Sequence, residues 1–115
     1  MFLTPDSFTK EDWKCLSCNI PLQAESITKV WKCSKCSRAV TIYAVDYEGR
    51  KRVINRLTPS EVSEGCGVVV GNSFQYVRPV IAITKVNDGH RIALKEYRAV
   101  FCPPDELVTC VVGEW

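Results

Sequence analysis

The sequence predicts a mainly β protein: a four-cysteine unit with its following hairpin over residues 1–57, then a short helix and a small antiparallel β domain over 58–115. Three observations carry this reading. Two Cys-x-x-Cys pairs stand in the first half, at Cys15/Cys18 and Cys33/Cys36. Runs of β-branched and aromatic residues broken by Gly, Asn-Asp and Pro fill the second half. Between them Thr58-Pro59-Ser60-Glu61 supplies one helix start, with a capping residue, proline at the first helical position and glutamate three residues after the cap.

The cysteine unit begins with an internal echo. Trp13-Lys14-Cys15-Leu16-Ser17-Cys18 is answered by Trp31-Lys32-Cys33-Ser34-Lys35-Cys36, each residue eighteen positions later. Two residues between cysteines let one tight turn aim both sulfurs at a metal, and four thiolates suit the tetrahedral preference of structural zinc. Residues 19–32 are enough for an out-and-back excursion that brings the second turn beside the first. Iron in a rubredoxin-like site and a disulfide pair are the competing readings. Asn19 and Ser37, standing where a rubredoxin knuckle carries glycine, favour zinc. Thr9 to Asp12 read as one capped helical turn, and residues 27–32 as strand-like.

On these residues the chain resembles the zinc-ribbon class over about residues 13–57. The resemblance implies one structural zinc ion held by Cys15, Cys18, Cys33 and Cys36. It leaves the task open, since zinc ribbons serve transcription, ribosomes, nucleic-acid enzymes and protein docking.

Residues 40–45 then read as a strand, Glu48-Gly49 as a turn and residues 50–57 as its return, a hairpin with Arg50-Lys51-Arg52 just past the turn. Gly65 ends the short helix after one or two turns. Beyond it, strands are expected at 67–70, 76–86, 91–102 and 107–112, with Pro103-Pro104 marking a corner. Taking Asp88-Gly89 as a type I′ turn sets Val86 opposite Arg91 and puts Ile81, Ile83, Ile92 and Leu94 on one face. The sum is a highly curved sheet or a partly closed barrel.

Composition bounds the function. The chain has 115 residues, 46% of them apolar, which suits one ordinary domain or two very small ones and leaves little room for disorder. No stretch near either end approaches the roughly 20 apolar residues that span a bilayer, and residues 1–10 lack an export signal's order. Seven cysteines, an odd number in knuckle spacing, argue for metal ligation in a reducing compartment rather than a secreted disulfide scaffold. A cytoplasmic protein with no membrane partner is expected.

Net charge is +2, too small to imply nucleic acid by itself. Its distribution is uneven: ten Lys or Arg against six Asp or Glu in residues 1–56, and five against seven in 57–115. Arg38, Arg50, Lys51, Arg52 and Arg56 could form a phosphate-facing stripe, with Tyr43 or Tyr47 to stack on a base. A charged hairpin edge that discourages strand pairing explains the same residues without a ligand. Trp13 and Trp31 are expected to cover the metal site, and Trp115 either to dock on a partner or to fold back.

Cys66, Cys102, Cys110 and His90 have no knuckle spacing and read as core thiols and a turn histidine. No paired carboxylates, nucleotide loop or nucleophile-base set is present, so no enzymatic activity is expected. The favoured expectation is a small zinc-binding accessory or regulatory protein that binds nucleic acid through the ribbon and the basic hairpin. The alternative is a non-enzymatic adaptor or inhibitor that docks on a partner protein.

Overall fold

The computed structural model describes residues 8–71 and 73–115; most of the stretch in which an export signal would stand lies outside them. Among the described residues nine strands form one antiparallel sheet: β1 (Lys10–Cys15), β2 (Ile20–Pro21), β3 (Thr41–Val45), β4 (Lys51–Leu57), β5 (Gly67–Val69), β6 (Val77–Val86), β7 (Gly89–Leu94), β8 (Ala99–Cys102) and β9 (Val108–Gly113). Their spatial order is β2-β1-β3-β4-β9-β5-β6-β7-β8. The chain is thus mainly β, as expected, but the partly closed barrel is corrected to an open sheet with edges at β2 and β8. β9 decides this. Its Cys110 is the register partner of Asn55 on β4 and of Val68 on β5, so both backbone edges of β9 are in use and neither can close onto β8. None of the described helices is long and apolar enough to cross a membrane.

Successive side chains of a strand point to opposite faces, so a strand in mid-sheet can feed two cores. β5 does so: Val68 packs with Ile92, Leu94, Cys102, Val108 and Cys110 on one face, while Val69 packs with Cys15, Cys33, Ile42 and Ile54 on the other. This is why Val68-Val69 reads as a continuous apolar run, and why β9 buries Val108, Thr109 and Cys110 in succession rather than in alternation.

Local expectations fare unevenly. The β3–β4 hairpin forms with its turn where expected, Gly49 taking φ +84°. Asp46, buried at the end of β3, accepts from the backbone N–H groups of Glu48 (3.0 Å) and Arg50 (2.8 Å) through Oδ1, and from that of Phe74 (3.0 Å) through Oδ2. Thr9 to Asp12 is not a helical turn. Glu11, Trp13 and Cys15 alternate with Lys10, Asp12 and Lys14, and pairing of Trp13 with Ile42 draws the segment into β1. Residues 27–32 form no strand, only isolated bridges from Ile27 to Cys33 and from Lys32 to Ala39.

The expected helix after Thr58 is a single 3-10 turn, Pro59–Glu61. Its capping box is present, the Thr58 backbone N–H donating to Glu61 Oε1 at 3.1 Å. The turn stops because Val62 adopts extended backbone, ψ 139°, and buries its side chain with Val68 and Leu94.

The β6–β7 register differs from the expected one by two residues: Val86 faces Gly89 and Ile83 faces Ile92. Asn87-Asp88 is the turn, with Asp88 at φ +63°. Gly89 is needed elsewhere, because a Cβ there would collide with the Cys102 carbonyl oxygen and the Phe101 ring. A bulge between Val80 and Ala82 turns Ile81 outward to 56% exposure, so it does not share the core face of Ile83, Ile92 and Leu94.

Candidate metal centre

β1 carries Cys15 into the core at its last residue, and the following turn brings Cys18 back over it, with the Cys18 N–H donating to Cys15 Sγ at 3.3 Å. The second pair is built the same way between Ile27 and Ala39. Cys33 N–H donates to the Arg38 carbonyl (2.8 Å), and Ser37 N–H to the Cys33 carbonyl (2.8 Å). Asn19 and Ser37 have φ +56° and +62°, so each occupies the left-handed position that glycine would fill after the second cysteine. Asn is tolerated there and Ser less so. The two knuckles therefore end in the same backbone conformation, eighteen residues apart.

The four Sγ atoms all lie within 4.8 Å of one another, and Cys15 Sγ and Cys36 Sγ are 3.5 Å apart. A tetrahedron with metal–sulfur bonds of about 2.3 Å has edges of about 3.8 Å, so the set fits a single ion. Backbone N–H groups of Cys36 and Lys35 bring the Cys33 thiol down to about 7. The neighbouring Cys15 sulfur, followed by Cys36, pushes Cys18 up to about 12. Four sulfurs this close resist ionising together, and a cation among them removes that resistance.

Behind the second knuckle lies a charged layer with no signal in the sequence. Arg56 and Glu11 are 2% and 7% exposed and form a two-pronged ion pair. The Arg56 guanidinium also lies over the Trp31 ring, 4.3 Å from its centroid. Trp13 Nε1 donates to Glu11 Oε1 at 3.0 Å, and the two indoles meet edge to face at 5.5 Å. The tryptophans thus pack at the site, as expected, together with two charged residues separated by 45 positions in the chain.

The expected basic stripe is not brought together as one free surface. Arg56 is buried with Glu11. Arg50 pairs with Glu48 (2.6 Å) and Asp46 (3.4 Å), and Arg52 with Glu114 (3.3 Å). Lys51 lies over the Trp115 ring at 5.0 Å, and Arg38 is exposed beside the second knuckle. Trp115 folds back, its Nε1 donating to the Arg52 carbonyl at 3.2 Å and its ring meeting Tyr43 edge to face at 5.7 Å. Tyr47 is 70% exposed.

Among the described residues Cys66, Cys102, Cys110 and His90 join no second ligand cluster. Cys102 and Cys110 are buried in the second core, with Cys66 packed against it. Burial, then the Glu106 carboxylate, pushes Cys102 up to about 12; the adjacent Cys66, then burial, raises Cys110.

Comparison with family models, with curated proteins and with solved structures finds no match to this chain.

Proposed function

We propose that this chain is a non-enzymatic protein that holds one structural zinc ion in Cys15, Cys18, Cys33 and Cys36 and binds single-stranded nucleic acid, working in a reducing compartment such as the cytoplasm. All-sulfur ligation with no open position suits zinc in a structural role. The ion would join the end of β1 to a segment, residues 24–39, that has little regular structure of its own.

The nucleic-acid reading is carried by one face of the sheet. Ladder partners on neighbouring strands point the same way, and the rows Lys10–Val45–Lys51 and Asp12–Tyr43–Val53, with Lys14–Thr41 beside them, lie on the solvent side of β1, β3 and β4. Three lysines therefore surround Tyr43 and the Trp115 ring folded onto it, with Asp12 the single carboxylate in these rows. Interleaved cations and aromatic rings on an open sheet suit a strand whose bases stack while its phosphates are neutralised. The supporting residues differ from the hairpin stripe, of which Lys51 alone belongs to this face.

A protein-docking role is favoured by a different feature. β8 is an open sheet edge, and its Phe101 is 50% exposed, which would suit strand addition by a partner. Titrating labelled single-stranded DNA and RNA oligonucleotides at several salt concentrations separates the two. Nucleic-acid binding should weaken by about 0.7 log unit per neutralised phosphate for each tenfold rise in salt. No binding at low salt overturns the nucleic-acid reading.

A further inference from the structure

A cavity of about 190 Å³ opens beside the second knuckle, lined by Trp13, Ala24, Ile27, Thr28, Lys29 and Trp31. An apolar cavity of about 150 Å³ takes one benzene ring, so this one is sized for a single substituted ring. It is well below the several hundred Å³ of a drug-sized site.

The backbone has been bent to place one of its walls. Trp31 N–H donates to the Thr28 carbonyl (3.0 Å) and Thr28 N–H to the Lys32 carbonyl (2.9 Å), closing a tight loop that returns to the ladder through a residue at positive φ. That seat favours glycine. Here it holds tryptophan at φ +57°, a conformation that bulky side chains rarely adopt. Trp13, its counterpart in the echo, sits in the extended strand β1 instead. Arg56 stacks on the Trp31 ring without reaching the cavity, and Glu11 takes up the Trp13 N–H. Strain of this kind is found where a side chain is being aimed.

The polar side-chain groups at the cavity are donors. Lys29 is exposed and makes no ion pair among the described residues. Thr28 Oγ1 already accepts from Lys32 N–H at 3.1 Å, which leaves its O–H to donate. No carboxylate lines the space. A phenyl side chain would leave both donors unused, whereas a nucleobase carries ring nitrogens and carbonyls to accept from them and an adjoining phosphate for Lys29.

We infer that the Trp13–Trp31 cavity receives one nucleobase of a bound single strand, with Lys29 on the flanking phosphate. This rests on the nucleic-acid reading above. The cavity lies on the opposite side of β1 from Lys10 and Lys14, and only the two-residue β2 separates β1 from the sheet edge. A strand could pass around that edge from one face to the other.

The test compares an oligonucleotide with an abasic one of equal length and charge, titrated into the zinc-loaded full chain. One stacked base should favour the base-bearing oligonucleotide by about 5- to 150-fold. Trp31→Gly, which relieves the backbone, should keep its metal and its affinity for the abasic strand but lower that preference by the share of one base, leaving what stacking on Tyr43 and Trp115 contributes. Ala24→Leu, which narrows the cavity and keeps both tryptophans, should lower the preference by the same share and decides the matter if Trp31→Gly fails to fold. Equal binding of both oligonucleotides by the parent, or a preference that Ala24→Leu leaves undiminished, overturns the cavity assignment, while salt-dependent binding through the lysines keeps the nucleic-acid reading standing. No binding of either at low salt overturns both.

Discussion

Arg56 grips Glu11 with both prongs of its guanidinium, Nη1 to Oε1 at 3.1 Å and Nη2 to Oε2 at 2.8 Å, while its flat face covers Trp31. The pair ties β1 to β4 across β3, directly behind the second knuckle. Breaking one partner of a buried ion pair strands the other charge and typically costs about 3–5 kcal/mol. Glu11→Ala should therefore lower stability by about that amount in denaturant unfolding. A loss under about 1 kcal/mol would show the pair to be dispensable.

Acid should unfold the protein through two buried carboxylates. Burial alone would raise both; hydrogen bonds from Arg56, Trp13 and the Phe8 N–H outweigh it for Glu11, and backbone N–H groups of Phe74, Arg50 and Glu48 outweigh it for Asp46. Both folded-state values lie below the ordinary 4.5 and 3.8. Their stabilisation is complete above those ordinary values and is lost as pH falls through the lowered ones. The share of the unfolding free energy that these two carboxylates supply should be constant from pH 7 to about 5 and fall below about 4, in addition to what is lost as protons compete with the metal for the thiolates. Asp46→Asn should make that fall shallower; an unchanged slope would remove Asp46 from the account.

Purified protein should carry one equivalent of zinc by elemental analysis, and Cys33→Ser should lose it, since an incomplete thiolate set opens the site. Cys66→Ala, Cys102→Ala and Cys110→Ala should each leave metal content unchanged. Iron in place of zinc, or a second equivalent that disappears with any of the last three, would contradict the assignment.

The β6–β7 turn offers a pair of substitutions with opposite signs. Asp88→Gly removes a side chain from φ +63° and should stabilise by up to about 1 kcal/mol. Gly89→Ala drives a Cβ into the Cys102 carbonyl and should destabilise by about 1–3 kcal/mol. Thermal unfolding of both variants checks this, and a harmless Gly89→Ala would mean that β7 and β8 are not so closely apposed.

Replacing Lys10, Lys14 and Lys51 together by alanine should lower oligonucleotide affinity and flatten its salt dependence by about 0.7 for each phosphate no longer neutralised. Replacing Arg50 and Arg52, which are held by carboxylates, should change the salt slope little. The reverse result would return the binding face to the hairpin edge.

The cysteine pairs, the β3–β4 hairpin, the capping box at Thr58 and Glu61 and the corner at Pro103-Pro104 were legible because each is written within a few residues. A knuckle, a tight turn or a cap depends on local backbone conformation, and its residue types state that conformation directly. Only the tertiary structure decided that β9 lies between β4 and β5, that the sheet stays open, that Gly89 serves close strand approach instead of the turn, and that Arg56 is a core residue. Those outcomes depend on which surfaces meet across long separations. An arginine reads as exposed until a carboxylate 45 positions away is folded against it, and a strand's place in a sheet is set by the backbone edges and core faces left for it to fill.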